Sequence, residues 1–264
     1  MAKTIEALYT VDATPEAVAH RAAEYFVDRI QESVDARGKA RIAISGGSTP
    51  KRTFELLAGP PFRSQIPWEK LELYWVDERA VPPSHPDSNY RMTRLALLDK
   101  VPLKDSQIFR IHGELEPDAA AAKYESDIRS SFRLEGAELP TFDSLSLGMG
   151  PDGHTASLFP HSAALHELLR IAVANHVPTQ KETWRVTLTS PVINQARDVF
   201  FVIAGPDKAP ALKSVLLGPY LPEDFPSQLI QPKSGRITLL LDSAAAALLP
   251  QPGADGRGRL EITR

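Results

Sequence analysis

The chain has 264 residues, 42% of them hydrophobic and 24% charged, with a formal net charge of −3, the composition of an ordinary globular protein. It contains no cysteine, which excludes disulfides, thiolate metal sites and a cysteine nucleophile together, and no apolar run approaches the ~20 residues that span a bilayer. The slight acidity and the absence of long basic runs exclude a global field for nucleic acid, so an anionic ligand must be met by local cations and backbone amides.

Ile5 to Tyr9 alternates weakly and predicts an edge strand. Thr14-Pro15-Glu16 starts a helix, with a capping hydroxyl, proline at the first helical position and an acid in the first turn. Val18, Ala22, Phe26, Ile30 and Val34 then recur every fourth residue, and Gly38 is placed to end the helix. Ala40 to Ser45 predicts a short buried strand that runs into Gly46-Gly47-Ser48-Thr49-Pro50 and a helix through Phe54 and Leu57. Leu71 to Val76 predicts a second strand ending in Asp77-Glu78-Arg79, and after a proline-rich loop Asp87 or Ser88 caps a helix through Leu98. Pro117 opens another helix through Phe132.

A buried strand over Phe142 to Leu147 leads into Gly148-Met149-Gly150-Pro151-Asp152-Gly153-His154-Thr155-Ala156-Ser157, a sharp glycine turn followed by a short helical pattern. Leu168 to Ala174, Val186 to Thr189, Val199 to Ala204 and Arg236 to Leu241 are further runs of strand length. Lys208 to Leu217 predicts a helix, Asp242 caps an alanine-rich helix over 243–249, and the Pro/Gly-rich stretch after 250 reads as a loose tail. Strands alternate with helices, which implies an α/β fold: one domain over 1–264 with a mainly parallel sheet covered by helices on both faces.

In such a sheet, ligands meet the ends of the strands. The Ser45 to Thr49 loop exposes backbone N–H groups at a helix start, which suits an oxyanion, or else is a tight turn with a capping hydroxyl. It matches neither the Walker nor the dinucleotide spacing. Arg79 at a strand end can grip a carboxylate or stabilise an oxyanion. Lys208, following Gly205-Pro206-Asp207, and Arg185, entering a strand, are phosphate ligands or solvated cations. Of the seven histidines, His154 stands out because the surrounding glycines clear space around it. No H-E-x-x-H or G-x-S-x-G motif is present.

Four segments, in order, resemble the 6-phosphogluconolactonase family within the wider group that includes glucosamine-6-phosphate deaminases. They are Ile44 to Pro50; Trp75 to Pro82 with Asp87 to Tyr90; Gly148 to Pro160; and Arg185 to Thr189 with Gly205 to Ala209. The deaminases look like G-H-I-A-F-N-E-P where this chain has Gly153-His154-Thr155-Ala156-Ser157-Leu158-Phe159-Pro160, and Phe159 cannot replace their glutamate. They also tend to carry an aromatic residue where Arg79 stands.

The resemblance implies a Rossmann-like α/β sheet and hydrolysis of 6-phospho-D-glucono-1,5-lactone in the oxidative pentose phosphate pathway, without a metal or organic cofactor; the cysteine-free composition, with no spanning run, reads as cytoplasmic. It implies a monomer or weak homodimer acting on a small sugar phosphate, with no nucleic-acid or membrane partner. The alternatives are a deaminase-like enzyme and a non-catalytic sugar-phosphate sensor.

A free imidazole titrates near ~6.5, which suits a general base. His154 is therefore expected to activate water, with Asp152 orienting the ring. Arg79 would meet the oxyanion or the sugar carboxylate. Gly46, Gly47, Ser48 and Thr49 would shape the pocket, Lys208 and Arg185 would hold phosphate, and Asp77 would bond sugar hydroxyls or brace Arg79.

Overall fold

The computed structural model describes residues 4–264. Its order is β1 (Thr4–Asp12), α1 (Pro15–Arg37), β2 (Ala40–Ile44), α2 (Ser48–Leu57), β3 (Leu71–Trp75), β4 (Asp77–Arg79), α3 (Asn89–Ala96), β5 (Ile108–Phe109) and α4 (Pro117–Phe132). There follow β6 (Ser144–Leu147), β7 (Ala172–His176), β8 (Trp184–Leu188), α5 (Ser190–Gln195), β9 (Val199–Ile203), α6 (Ala209–Leu217), β10 (Arg236–Asp242) and β11 (Arg257–Thr263). Eight strands form one sheet in the order β11-β1-β10-β9-β6-β2-β3-β5. All neighbours in it are parallel except β1 and β11. A second, antiparallel sheet has the order β4-β8-β7.

Side-chain parity shows helices on both faces. Phe200 of β9 packs against Tyr25 and Phe26 of α1, whereas its neighbours Phe201 and Ile203 line a cleft with Leu212 and Val215 of α6. On the other half of the sheet, Leu73 groups with Phe54 and Leu57 of α2, while Tyr74 packs on Phe132 of α4. The Rossmann-like reading therefore holds.

Caps behave as the sequence dictates. Thr14 accepts from the Ala17 N–H at 3.2 Å, and Gly38 closes α1 at φ 78°. Ser88 caps α3 through the Arg91 N–H.

Five expectations are corrected. β1 is not an edge strand, and the chain after 250 is not all loose, because β11 pairs antiparallel along β1 from Thr4↔Thr263 to Thr10↔Arg257. The Pro and Gly residues end at Gly258; beyond it Leu260 and Ile262 alternate with Arg259 and Glu261, a strand pattern. Residues 243–248 form successive turns in place of a helix, although Asp242 does accept the Ala245 N–H at 2.7 Å. The strand expected from Leu168 begins only at Ala172; Leu168 and Leu169 are 67% and 84% exposed. No helix follows the glycine turn directly: Thr155 and Leu158 close a tight bend, with Ala156 at φ 51°.

Candidate active site

The chain runs from β2 outward through β3 to β5, then returns to β6 and runs the opposite way through β9 and β10. β2 and β6 are therefore adjacent strands whose following loops diverge, the crevice in which α/β sheets bind ligands. A cavity of about 240 Å³ lies there. Ser45, Gly46 and Gly47 line it from the end of β2, Gly148 to Pro151 from the end of β6, and Lys208 from beyond β9. Asp77, Arg79 and Arg185 complete it from the small sheet.

The loop after β6 builds a histidine–carboxylate pair. Gly150 N–H donates to the His154 carbonyl at 2.9 Å, and Gly153 N–H to Gly150 at 3.0 Å, folding the segment back on itself. That fold brings His154 Nδ1 to 2.6 Å from Asp152 Oδ1. A Cβ on residue 150 would lie 2.1 Å from that Nδ1 and 2.5 Å from the carboxylate, so the pair requires glycine there. Partial burial works against ionisation of Asp152, but the hydrogen bond and charge of His154 outweigh it and hold the carboxyl below its usual range. His154 lines the cavity; Asp152 stands behind it and does not. With Nδ1 engaged, Nε2 is the ring nitrogen left for a ligand.

Arg79 and Arg185 are cross-strand partners in the β4–β8 ladder. Like charges placed opposite one another destabilise a sheet. Neither forms an ion pair with a carboxylate among the described residues. Arg79 donates to the Asp87 carbonyl at 2.6 Å, and its buried Nε has no partner. Arg185 makes only long bonds, 3.3 Å to the Glu182 carbonyl and 3.4 Å to Gln180 Oε1. Desolvation, and secondarily Arg79, push its pKa down against the pull of Asp77. Two cations that line one cavity without a carboxylate partner suit an anionic ligand.

Gly47 precedes α2, whose first turn has no side-chain cap, leaving backbone N–H groups at the crevice. Gly46 is required for another reason: a Cβ there would meet Asn89 Oδ1 at 1.8 Å. Lys208 lines the cavity while paired with Asp207 at 2.9 Å. Ser48 and Thr49 lie in the first turn of α2, and neither side chain lines the cavity.

Asp77 does line the cavity but does not touch Arg79. Its carboxylate accepts from Ser157 Oγ at 2.6 Å and Asn89 Nδ2 at 3.4 Å. Ser157, Asn89 and Glu78 are the residues that sequence reasoning passed over. The Ser157 N–H also donates to Thr187 Oγ1 at 3.2 Å, which ties the His154 loop to both β4 and β8.

Glu78, inside a charged triplet, is 2% exposed. It accepts the N–H groups of Arg79, Asn89 and Tyr90 and the Ser88 hydroxyl at 2.7–3.0 Å. Burial pushes its pKa up to about 6, against those hydrogen bonds. The available signal was an acid three residues past a buried aromatic strand, upstream of a Ser-Asn helix start.

One further group, His85, Asp87 and Glu182, has ligand atoms within 4.8 Å of one another. Lys181 already pairs with Asp87 there, and none of the three lines the cavity.

The family model for glucosamine-6-phosphate isomerases/6-phosphogluconolactonase matches residues 13–239. A 6-phosphogluconolactonase of Synechocystis is 41% identical over 223 residues, 84% of this chain and 90% of its own. One of Nostoc is 40% identical over 250 residues, covering 94% and 99%. The solved structure of 6-phosphogluconolactonase from Trypanosoma brucei superposes with a TM-score of 0.81 at 30% identity, covering 92% of this chain and 98% of that one.

Proposed function

The chain belongs to the glucosamine-6-phosphate isomerase/6-phosphogluconolactonase family, and we propose that it hydrolyses 6-phospho-D-glucono-1,5-lactone to 6-phospho-D-gluconate with His154 as the general base. That is the lactone-opening step of the oxidative pentose phosphate pathway. The observation that carries the reading is the 2.6 Å His154–Asp152 pair facing a cavity with two arginines that no carboxylate neutralises. A base and uncompensated cations are what hydrolysis of an anionic ester needs.

In this reading, water bound at Nε2 gives its proton to His154 and its oxygen attacks C1. Asp152 holds the tautomer and stabilises the imidazolium. The C1 oxyanion meets Arg79. When the intermediate collapses, the bond from C1 to the ring oxygen breaks, and that oxygen takes the proton back from His154. The products are a free hydroxyl and a carboxylic acid, which releases its proton to solvent and becomes the carboxylate. Arg185, Lys208 and the start of α2, reached through Gly46 and Gly47, hold the 6-phosphate. Asp77, fixed by Ser157 and Asn89, faces the sugar hydroxyls.

No helix among the described residues is long and apolar enough to cross a membrane. The cysteine-free composition fits a cytoplasmic enzyme.

Lactone hydrolysis assayed on freshly generated substrate, because the lactone also opens spontaneously, tests the reading. Wild type should turn over, and His154→Ala should lose ~10²–10⁴ in kcat. Near wild-type turnover in His154→Ala would sink the base assignment. Ammonia release from glucosamine 6-phosphate would establish the deaminase alternative.

A further inference from the structure

We propose that Phe159 is a positioning residue for the general base, its ring fixing the plane of the His154 imidazole and stabilising the cation that forms when the base takes its proton. The His154 and Phe159 rings are stacked, with centroids 3.9 Å apart and planes 22° from parallel. The same phenyl ring lies under the Arg185 guanidinium, 5.1 Å from its centroid. Phe159 is itself rigid: it is 2% exposed, and its carbonyl accepts the Ser162 hydroxyl at 2.8 Å and the Ser162 N–H at 3.1 Å.

The physical need is specific. The bond to Asp152 fixes one ring nitrogen, but a single contact leaves the imidazole free to swing about it. His154 is 24% exposed in its side chain, so solvent does not hold it either. A flat aromatic face removes that rotation and leaves Nε2 pointing one way. Protonation then places a cation over the negative face of a π system, which favours the protonated ring. Because the ring also meets Arg185, one buried side chain sets the spacing between the base and a cation of the proposed phosphate grip.

The inference rests on His154 being the base, and its test separates the two. Phe159→Leu keeps an apolar side chain but removes the flat face. We expect kcat to fall about tenfold and the acidic limb of the kcat/KM profile to move about half a unit to lower pH, the scale of one lost cation–π contact. Phe159→Tyr keeps the face and should retain the wild-type limb. A role in folding alone would lower the melting temperature without moving the limb.

Nuclear magnetic resonance titration of the His154 ring reads the same shift without turnover, so a poorly active variant still reports. Should Phe159→Leu not fold, the unbranched Phe159→Met takes its place. An unmoved limb and ring titration in a folded Leu or Met variant overturn the inference while leaving the base intact. Surviving turnover in His154→Ala overturns the base reading instead.

Discussion

The loop after β6 and the β4–β8 ladder face each other across one cavity and are built on opposite logic. In the loop, His154 and Asp152 are two residues apart, partly exposed, and satisfied by one another at 2.6 Å. In the ladder, Arg79 and Arg185 are distant in the chain, brought opposite by strand register, and left without a carboxylate. The first is complete without substrate; the second is incomplete until an anion arrives. In the proposed reading, the general base sits on the satisfied side, and the unsatisfied side supplies the cations for the oxyanion and the phosphate. That division predicts that mutations in the loop, and of the oxyanion partner Arg79, change kcat, whereas loss of the phosphate ligand Arg185 changes KM.

The largest effect in this comparison, after loss of His154 itself, belongs to Gly150→Ala. A methyl group at that position drives His154 and Asp152 apart. Misplacing a catalytic group by about 1 Å costs up to ~10²-fold, so kcat should drop on that scale with KM little changed. A KM effect as large as the kcat effect would show that the loop also grips the substrate and would blur the division.

Arg185→Met comes next. It removes the charge at similar side-chain length, and losing a charge-assisted bond to phosphate should raise KM about 10–100-fold. Without ligand, the same change relieves two facing cations, so the melting temperature should stay level or rise. A clear fall in melting temperature would mean that Arg185 is structural and that its bare cation is not held for substrate.

How much of this was legible in the sequence follows the same division. The His154 loop was legible as a glycine turn with a carboxylate and an imidazole two residues apart, although that spacing alone does not fix their contact. The parallel sheet was legible too, since each buried strand is a short continuous apolar run. The facing of Arg79 and Arg185 was not, because a three-residue strand carries no periodicity and its register is set by its partner. Ser157 and Asn89 were missed for a related reason: their partner Asp77 reaches them only through tertiary folding. Glu78 misled because charged triplets are normally solvated, and only the end of α3 above it explains a buried acid. The tail after 250 was misread by weighting its turn residues over the alternation that follows them.

The smallest effect concerns pH, where the two regions have opposite signs. Asp152 has a lowered pKa, so its stabilising contribution is present above the ordinary carboxylate range and is lost as pH falls through the lowered value. Glu78 has a raised pKa of about 6. The folded state therefore binds its proton more tightly than the unfolded chain, and the associated stability is present at low pH and lost as pH rises through about 6. Between pH 5 and pH 8 this group should remove about 1 kcal/mol of unfolding free energy.

Glu78→Gln abolishes that titration. It also replaces an acceptor by an amide donor beneath α3, leaving N–H groups unpaired, so it should be less stable at every pH by about 1–3 kcal/mol. Denaturant unfolding of both proteins at pH 5 and pH 8 isolates the effect, because the histidines titrate alike in each and cancel in the difference. The gap between wild type and variant should narrow by about 1 kcal/mol on going to pH 8. A gap independent of pH would show that Glu78 is ionised throughout, its four hydrogen bonds outweighing its burial.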